Sequence, residues 1–173
     1  MGESKSLFGL SQTAIHETHE PHETNTRRDI SCNFVDRSGF PSVTLTITTD
    51  HFDEIVAHAR ASSPSECCGL IGGTNHSAQT VYRTRNIATD PLVTYEAAPQ
   101  DLFAAQRAMR ARGEQLIAIY HSHPRAKEPE PSATDVRLAY YPSAVYLIVG
   151  LGNQEPCVRA FRINERAGWQ PVE

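Results

Sequence analysis

Residues 116–120, Leu-Ile-Ala-Ile-Tyr, constrain the fold of this 173-residue chain more than any other segment. A strand that is apolar at every position is typical of a sheet whose two faces are both covered. Apolar residues recur at helical spacing around Ile55 and again around Met109. They predict two amphipathic helices that can pack on the faces of the sheet. We therefore expect an α/β or α+β domain with a single core.

The predicted elements alternate along the chain. A first strand at 43–47 precedes a helix that begins near Asp50 and is broken at Pro64. A second helix begins at Pro99 and ends at Gly113, and a short third helix begins near Ser132. Further strands are predicted at 67–73, 81–87, 116–120, 145–151 and 158–163.

Residues 1–40 differ in composition from residues 41–173. The stretch 16–23 is polar throughout and includes His16, His19 and His22. Such a segment cannot bury enough apolar surface to offset its ordering entropy, so we predict a flexible polar tail before the domain. A metal-binding tract is the alternative for the three histidines, although a solvated tail is the more frequent outcome for such a composition.

Composition and charge exclude several classes of function. The net charge of −4 gives no global basic field for nucleic acid. The longest apolar runs, such as 144–151, are too short to span a bilayer, and residues 1–10 lack the apolar core of a secretory signal. Four cysteines are present without a CxxC pair or a regular disulfide spacing. We therefore expect a reduced, cytoplasmic protein without a cysteine-based zinc ribbon.

The residues that follow the central strand, His121-Ser122-His123-Pro124, point to metal chemistry. Side chains at i and i+2 of an extended chain point to the same side, so both imidazoles can face one site. Two imidazoles form half of a zinc site, but such a pair alone more often marks ordinary strand-end histidines. Asp135, in the first turn of the short helix, offers a third ligand if the proline-rich loop folds back. Three protein ligands leave the fourth zinc position to water, which is the pattern of a catalytic site.

Two further residues admit both an ordinary and a chemical interpretation. Ser132 and Asp135 resemble a helix capping box, and capping does not exclude metal binding by the neighbouring side chains. Glu66 precedes the predicted strand 67–73, where a carboxylate could accept a proton from water and pass it to a leaving amine. Taken alone, Glu66 is more typical of an exposed surface glutamate.

The combined segments resemble the JAMM, or MPN-plus, metallopeptidases of the JAB/MPN domain family over roughly residues 43–163. Their motif is a glutamate, then His-x-His, about seven residues, a serine, two residues and an aspartate. The resemblance rests on Ser65-Glu66-Cys67-Cys68-Gly69-Leu70-Ile71-Gly72, His121-Ser122-His123-Pro124 and Pro131-Ser132-Ala133-Thr134-Asp135. Here residues 124–131, eight in all, separate His123 from Ser132, so the loop is one residue longer than usual.

The resemblance implies a fold, a cofactor and a role for each motif residue. The fold would be a mixed sheet flanked by helices, related in layout to cytidine deaminases. His121, His123 and Asp135 would bind Zn²⁺, and Glu66 would act as general acid and base. Ser132 would stabilise the oxyanion of the tetrahedral intermediate.

The same resemblance implies hydrolysis of an amide or isopeptide bond, at the C-terminal tail of a ubiquitin-like or sulfur-carrier protein. The long insertions of some eukaryotic relatives have no room in the segments 92–99 and 124–131. This favours a small ubiquitin-like or sulfur-carrier protein over branched polyubiquitin as the substrate. Residues 93–96 form either an edge strand that pairs with such a tail or an ordinary connecting strand.

The sequence disfavours three alternatives to a peptidase. A non-catalytic MPN-type binding module is disfavoured because the ligand set is complete. A DNA-repair-associated relative is disfavoured because His-Ser-His-Pro-Arg-Ala replaces His-Asn-His-Pro-Ser-Gly and the charge is acidic. A zinc deaminase would need a Pro-Cys-x-x-Cys pair, which is absent. The sequence leaves the oligomeric state open.

Overall fold

The computed structural model of the protein describes residues 27–30 and 44–172. Within these residues eight strands and three helices follow one another along the chain. The strands are β1 (Arg27–Ile30), β2 (Leu45–Thr48), β3 (Cys68–Thr74), β4 (Ser77–Thr84), β5 (Gln115–His123), β6 (Val145–Gly150), β7 (Cys157–Asn164) and β8 (Gly168–Val172). The helices are α1 (Thr49–Ser62), α2 (Pro99–Arg112) and α3 (Ala133–Arg137).

The strands form one mixed sheet in the order β1-β2-β4-β3-β5-β6-β7-β8. Strand β5 lies inside this sheet, antiparallel to β3 and parallel to β6. The parallel pairs β2–β4 and β5–β6 need crossover connections, and α1 and α3 lie in those connections. The predicted α/β fold, a mixed sheet flanked by helices, is confirmed.

Each face of the sheet carries its own apolar cluster. On one face Ile55 and Ala59 of α1 share a cluster with Tyr120. On the other, Met109 of α2 shares a cluster with Ile119. Because adjacent residues of a strand point to opposite faces, the unbroken apolar run of β5 serves both clusters. This burial on both faces is what the run at 116–120 predicts.

Local signals account for most element boundaries. The Thr48 hydroxyl caps α1 by accepting a hydrogen bond from the His51 N–H at 3.3 Å. Pro99 begins α2, and Gly113 ends it in the left-handed region at φ 71°. The prediction for β4 was wrong at both ends, because that strand covers Ser77–Thr84 rather than 81–87.

Two elements have no counterpart in the sequence prediction. Strand β8 lies at the edge of the sheet, where Pro171 is tolerated because no further strand needs its missing N–H. Strand β1 lies inside the segment predicted as a tail and pairs antiparallel with β2. The rest of that tail, with His16, His19 and His22, lies outside the described residues.

None of the described helices is long and apolar enough to cross a membrane. Cys67, Cys68 and Cys157 are free thiols, and the first two are buried. Cys32 lies outside the described residues.

Candidate metal centre

Strand β5 carries the His-Ser-His sequence to its last residue and points both imidazoles to one side. His121 pairs with Cys68 across the β3–β5 ladder and is completely buried. The Nε2 atoms of His121 and His123 lie 3.2 Å apart, and the ring centroids lie 4.9 Å apart. Ser122, between them, points to the other side, where its hydroxyl accepts a hydrogen bond from the Cys67 N–H at 2.9 Å. The i, i+2 spacing therefore brings the two histidines together as predicted.

Asp135 approaches both histidines from the first turn of α3. Its Oδ1 lies 3.4 Å from His121 Nε2, and its Oδ2 lies 3.4 Å from His123 Nε2. The three side chains place their ligand atoms within 4.8 Å of one another, and Asp135 is only 8% exposed. The structure therefore assembles the three predicted ligands in one place, although twelve residues separate Asp135 from His123.

The longer loop 124–131 is held against the end of β6. The Gly152 N–H donates to the Ala126 carbonyl at 2.9 Å, and Pro129 and Pro131 are buried. A Cβ on Gly150 would lie 2.6 Å from the Ala126 oxygen, so only glycine permits this close approach. The additional residue is accommodated, and Asp135 still reaches the histidines.

Ser132 caps α3 and lies at the edge of the cluster. Its hydroxyl accepts a hydrogen bond from the Asp135 N–H at 3.1 Å, and its own N–H donates to Asp135 Oδ2 at 2.7 Å. This is a complete capping box. The hydroxyl uses a lone pair in the cap, so its proton is still available for another acceptor.

Glu66 lies next to the cluster and not on the open surface. Its Oε1 is 3.9 Å from His123 Nε2, and the residue is only 5% exposed. The structure therefore brings all five sequence-predicted residues together. An isolated surface glutamate, the ordinary interpretation from sequence alone, is wrong.

Comparison with known proteins identifies the family. Residues 48–164 match the family Prok-JAB, described as prokaryotic homologs of the JAB domain. The chain belongs to this family.

Curated relatives of this JAB domain include several named peptidases. Desampylase from Haloferax volcanii is 37% identical over 111 residues, which cover 60% of this chain and 78% of the relative. CysO-cysteine peptidase from Mycobacterium tuberculosis is 37% identical over 112 residues, covering 61% and 72% of the two chains. A probable TtuB-protein conjugate cleaving protease from Thermus thermophilus is 32% identical over 127 residues, covering 73% and 81%.

Solved structures support the same fold. The solution structure of a protein from Desulfitobacterium hafniense is 34% identical and aligns with a TM-score of 0.65, covering 73% of this chain and 88% of that chain. A solution structure from Salinibacter ruber is 27% identical with a TM-score of 0.56 and the same coverage of each chain.

Charge in the JAB site favours a bound cation. Burial alone would raise the pKa of Asp135, but hydrogen bonds from His121 and His123 outweigh it and hold that pKa well below its ordinary value. Burial lowers the pKa of His121. Burial also acts to lower the pKa of His123, but the adjacent Asp135 and Glu66 raise it overall. The ionised Asp135 carboxylate and the neutral His121 imidazole are therefore in the states that bind metal, and metal binding would release any proton held by His123.

The hydrogen bonds that the two imidazole rings can make also favour a bound metal ion. Each Nε2 atom faces both the other Nε2 and an Asp135 oxygen, at 3.2 to 3.4 Å. One N–H on each ring cannot donate to both neighbours at once. A single cation at the centre of the cluster would contact all three ligand atoms. Imidazole nitrogens and a carboxylate oxygen form a donor set that suits divalent transition metals. The residues present can therefore hold a metal ion.

The pKa of Glu66 is raised to about 7, mainly by burial and further by the Asp135 charge, while His123 acts to lower it. A carboxyl group with a pKa near neutrality can both accept and donate a proton under ordinary conditions. This is the property required of a general acid and base.

Tyr95 is a site residue that the sequence did not single out. Its ring stacks on His121 with centroids 4.5 Å apart and an interplanar angle of 28°. The segment 93–96 forms neither of the two predicted alternatives, an edge strand or a connecting strand. An isolated bridge joins Asn86 and Ala97 nearby. The aromatic residue in that segment was the available signal, but its contact with His121 depends on tertiary packing.

An apolar groove of about 330 Å³ adjoins the cluster of candidate metal ligands. It shares Asp135 with the cluster and is also lined by Tyr95, which stacks on His121. Tyr140 and Leu138, after α3, are 74% and 41% exposed. The other lining side chains include Leu70, Leu102, Ile119, Tyr141 and Tyr146. The groove therefore provides an apolar surface beside the candidate site.

Proposed function

We propose that this JAB domain is a zinc-dependent peptidase. In this proposal it hydrolyses an amide or isopeptide bond at the C-terminal tail of a ubiquitin-like or sulfur-carrier protein. The observation that carries the proposal is the convergence of His121, His123 and Asp135 beside the buried carboxyl group of Glu66. Three close side chains with a buried fourth titratable group beside them, Glu66 Oε1 at 3.9 Å from His123 Nε2, are typical of a catalytic site that keeps one metal position for water.

The spacing of the three donors supports zinc. Ligand bonds of about 2.0–2.1 Å at tetrahedral angles place neighbouring ligand atoms about 3.3 Å apart. The three observed separations are 3.2, 3.4 and 3.4 Å. Zinc in such a site supplies Lewis acidity, which makes water a nucleophile near neutral pH.

Glu66 would hold and activate the attacking water. The carboxylate accepts a proton as the oxygen of water adds to the carbonyl carbon. With its pKa raised to about 7, Glu66 then returns that proton to the departing amine nitrogen. The carbon–nitrogen bond breaks, and the products are a carboxylic acid and an amine.

Ser132 would stabilise the charge that develops on the carbonyl oxygen. Its hydroxyl accepts from the Asp135 N–H, and that bond fixes the oxygen at the start of α3. The hydroxyl proton can then be donated to the substrate oxygen as it becomes negative. The capping bond thus pre-orients the donor, and one hydroxyl can serve both purposes.

Relatives and the groove support a protein tail as substrate. The names of the three relatives describe a desampylase, a CysO-cysteine peptidase and a protease that cleaves TtuB–protein conjugates. The apolar groove reaches the cluster at Asp135 and Tyr95, so an extended tail could lie in it with its terminal carbonyl at the site. We expect the protein to act in the cytoplasm.

The experiment is a cleavage assay with zinc-loaded protein. The substrate is a ubiquitin-like protein joined through its C-terminal glycine to the amine of a reporter. Glu66→Gln should retain zinc and lose turnover by about 10² to 10⁴-fold, because it removes the proton acceptor and no ligand. Glu128→Gln is the matched control, since Glu128 is exposed in the loop 124–131.

Cleavage by wild type and by Glu128→Gln, but not by Glu66→Gln, would support the proposal. Zinc-loaded wild type that binds the conjugate without cleaving it would instead favour a non-catalytic binding module.

A further inference from the structure

The side chain of Asn86 makes four hydrogen bonds close to the candidate site. Its Nδ2 donates to the carbonyl oxygens of Glu66 at 2.9 Å and Thr94 at 3.1 Å. Its Oδ1 accepts from the N–H groups of Ala88 and Glu96, both at 3.0 Å. Two donors and two lone pairs are the full capacity of a carboxamide, so the group is satisfied.

The four partners also fix the orientation of the Asn86 carboxamide. If its oxygen and nitrogen exchanged places, an NH₂ group would face two N–H donors and an oxygen would face two carbonyl oxygens. Each exchanged contact would be repulsive. Only one orientation therefore satisfies the backbone around it.

One side of this network holds the backbone of Glu66. Glu66 lies two residues before the start of β3, so the regular ladder does not hold its peptide groups. Its N–H donates to the Pro91 carbonyl at 2.7 Å, and its carbonyl accepts from Asn86. Both backbone groups of the candidate general base are thus tied to the segment that follows β4.

The other side of the network holds Tyr95. Thr94 and Glu96, which flank Tyr95, are both hydrogen-bonded to the Asn86 carboxamide. Tyr95 stacks on His121, a candidate metal ligand, at 4.5 Å between centroids. The Asn86 side chain therefore links Glu66, the candidate general base, with the Tyr95 ring that packs on His121.

We propose that Asn86 is a positioning residue for the hydrolytic reaction, and this inference rests on the proposed function. It fixes the backbone at Glu66 and thereby holds the Glu66 carboxyl group beside His123. It also fixes the backbone on both sides of Tyr95 and thereby keeps that ring on His121. All four hydrogen bonds of the Asn86 side chain go to backbone groups of other residues and none to the candidate metal ligands, so it acts through other residues. Displacing a catalytic group by about 1 Å can reduce the rate by about 10²-fold.

Two substitutions separate the donor half of Asn86 from the acceptor half. Asn86→Asp keeps an oxygen for Ala88 and Glu96 but replaces the donor to Glu66 and Thr94 with a negative oxygen. Asn86→Ala removes all four bonds. Asn153→Asp is the matched control, because Asn153 also donates from Nδ2 to a carbonyl, that of Lys127 at 3.1 Å, on the exposed surface.

We expect Asn86→Asp and Asn86→Ala to lower kcat by about 10 to 100-fold in the cleavage assay. Zinc per chain should stay unchanged, since no ligand is altered, and Asn153→Asp should match wild type. Assays are run well below the melting temperature of each variant, so that loss of folded protein does not contribute. Unaltered kcat in both Asn86 variants would overturn the proposal.

A double-mutant cycle with Glu66→Gln separates positioning from general destabilisation. If Asn86 acts mainly by orienting the Glu66 carboxylate, Asn86→Asp should have little further effect once that carboxylate is gone. An undiminished 10 to 100-fold loss in the Glu66→Gln background would show that Asn86 does not act through Glu66 and would overturn that part of the proposal.

A spectroscopic readout keeps the inference testable if the proposed function itself fails. In zinc-loaded protein, the NMR signals of the Tyr95 ring report its stacking on His121. Asn86→Asp should shift those signals and speed exchange of the Glu66 amide hydrogen, whether or not the protein cleaves the conjugate. Unchanged ring signals and amide exchange in this variant would overturn the positioning role. A wild type without turnover would overturn only the proposed function.

Discussion

The hydroxyl of Ser132 accepts a hydrogen bond from the Asp135 N–H at 3.1 Å, and the Ser132 N–H donates back to Asp135 Oδ2 at 2.7 Å. This exchange caps α3 and also fixes the carboxylate that approaches both histidines. The two interpretations of the Ser-x-x-Asp sequence, a cap and a site, therefore describe the same pair of residues.

Substitutions at Ser132 should separate the cap from the proposed oxyanion contact. Ser132→Ala removes both, and we expect about 1 kcal/mol lower stability together with a rate loss of about 10² to 10³-fold. Ser132→Asp retains a capping oxygen without a hydroxyl proton, so its melting temperature should stay near wild type while turnover is lost. Normal turnover in Ser132→Asp would contradict the oxyanion role.

Removal of Asp135 should abolish tight metal binding. Asp135→Ala leaves only two imidazoles, and we expect zinc per chain, measured by elemental analysis, to fall from about one to near zero. Asp53→Asn is the control, because Asp53 is exposed on α1. Full zinc retention in Asp135→Ala would mean that the ligand set is wrong.

Glu66 should make the stability of the metal-free protein depend on pH. Burial raises its pKa from 4.5 to about 7 in the folded state. A raised pKa means that folding favours the protonated form, so this stabilisation is present below pH 4.5 and is lost as pH rises towards 7. In urea unfolding of metal-free protein, the stability difference between Glu66→Gln and wild type should grow in favour of the variant over that interval. A difference that does not change with pH would contradict the raised pKa.

Tyr140 should affect substrate binding more than chemistry. It is 74% exposed on the wall of the groove that adjoins Asp135. Tyr140→Ser should raise KM for the protein conjugate several-fold while kcat and zinc content stay near wild type. Phe103→Ser is the matched control, since Phe103 is an aromatic residue, 69% exposed, that does not line the groove. Equal effects of both substitutions would argue against the groove as the binding surface.

Truncation tests the prediction that residues 1–40 form a tail. We expect deletion of 1–26 or of 1–40 to change the melting temperature by less than about 3 °C, the shift that corresponds to about 1 kcal/mol in a domain of this size. Calorimetry on both truncated forms distinguishes two failures. A larger drop only in the longer deletion would show that β1, which pairs with β2, contributes to the domain. A drop in both would contradict the tail prediction.

Local patterns determined much of the fold in advance. The apolar run of β5 predicted a strand covered on both faces, and Pro99 and Gly113 marked the ends of α2, because these signals act within a few residues of backbone. The edge strand β8 escaped prediction because its sequence, with Pro171 at the rim, has no clear alternation. The segment 93–96 was mistaken for a strand because an extended pattern does not reveal whether a partner strand lies beside it.

The sequence by itself determined that His121 and His123 face one side, since the period of an extended chain is set by covalent geometry. It also supplied Glu66, Ser132 and Asp135 as candidates from their positions, and the family resemblance implied a role for each. Only the tertiary structure decided that the loop 124–131 returns Asp135 to the histidines, that Tyr95 stacks on His121 and that Asn86 joins Glu66 to the Tyr95 segment. These contacts link residues distant in the chain, and their distances follow from how the sheet, the loops and the helices pack together, which no local pattern encodes.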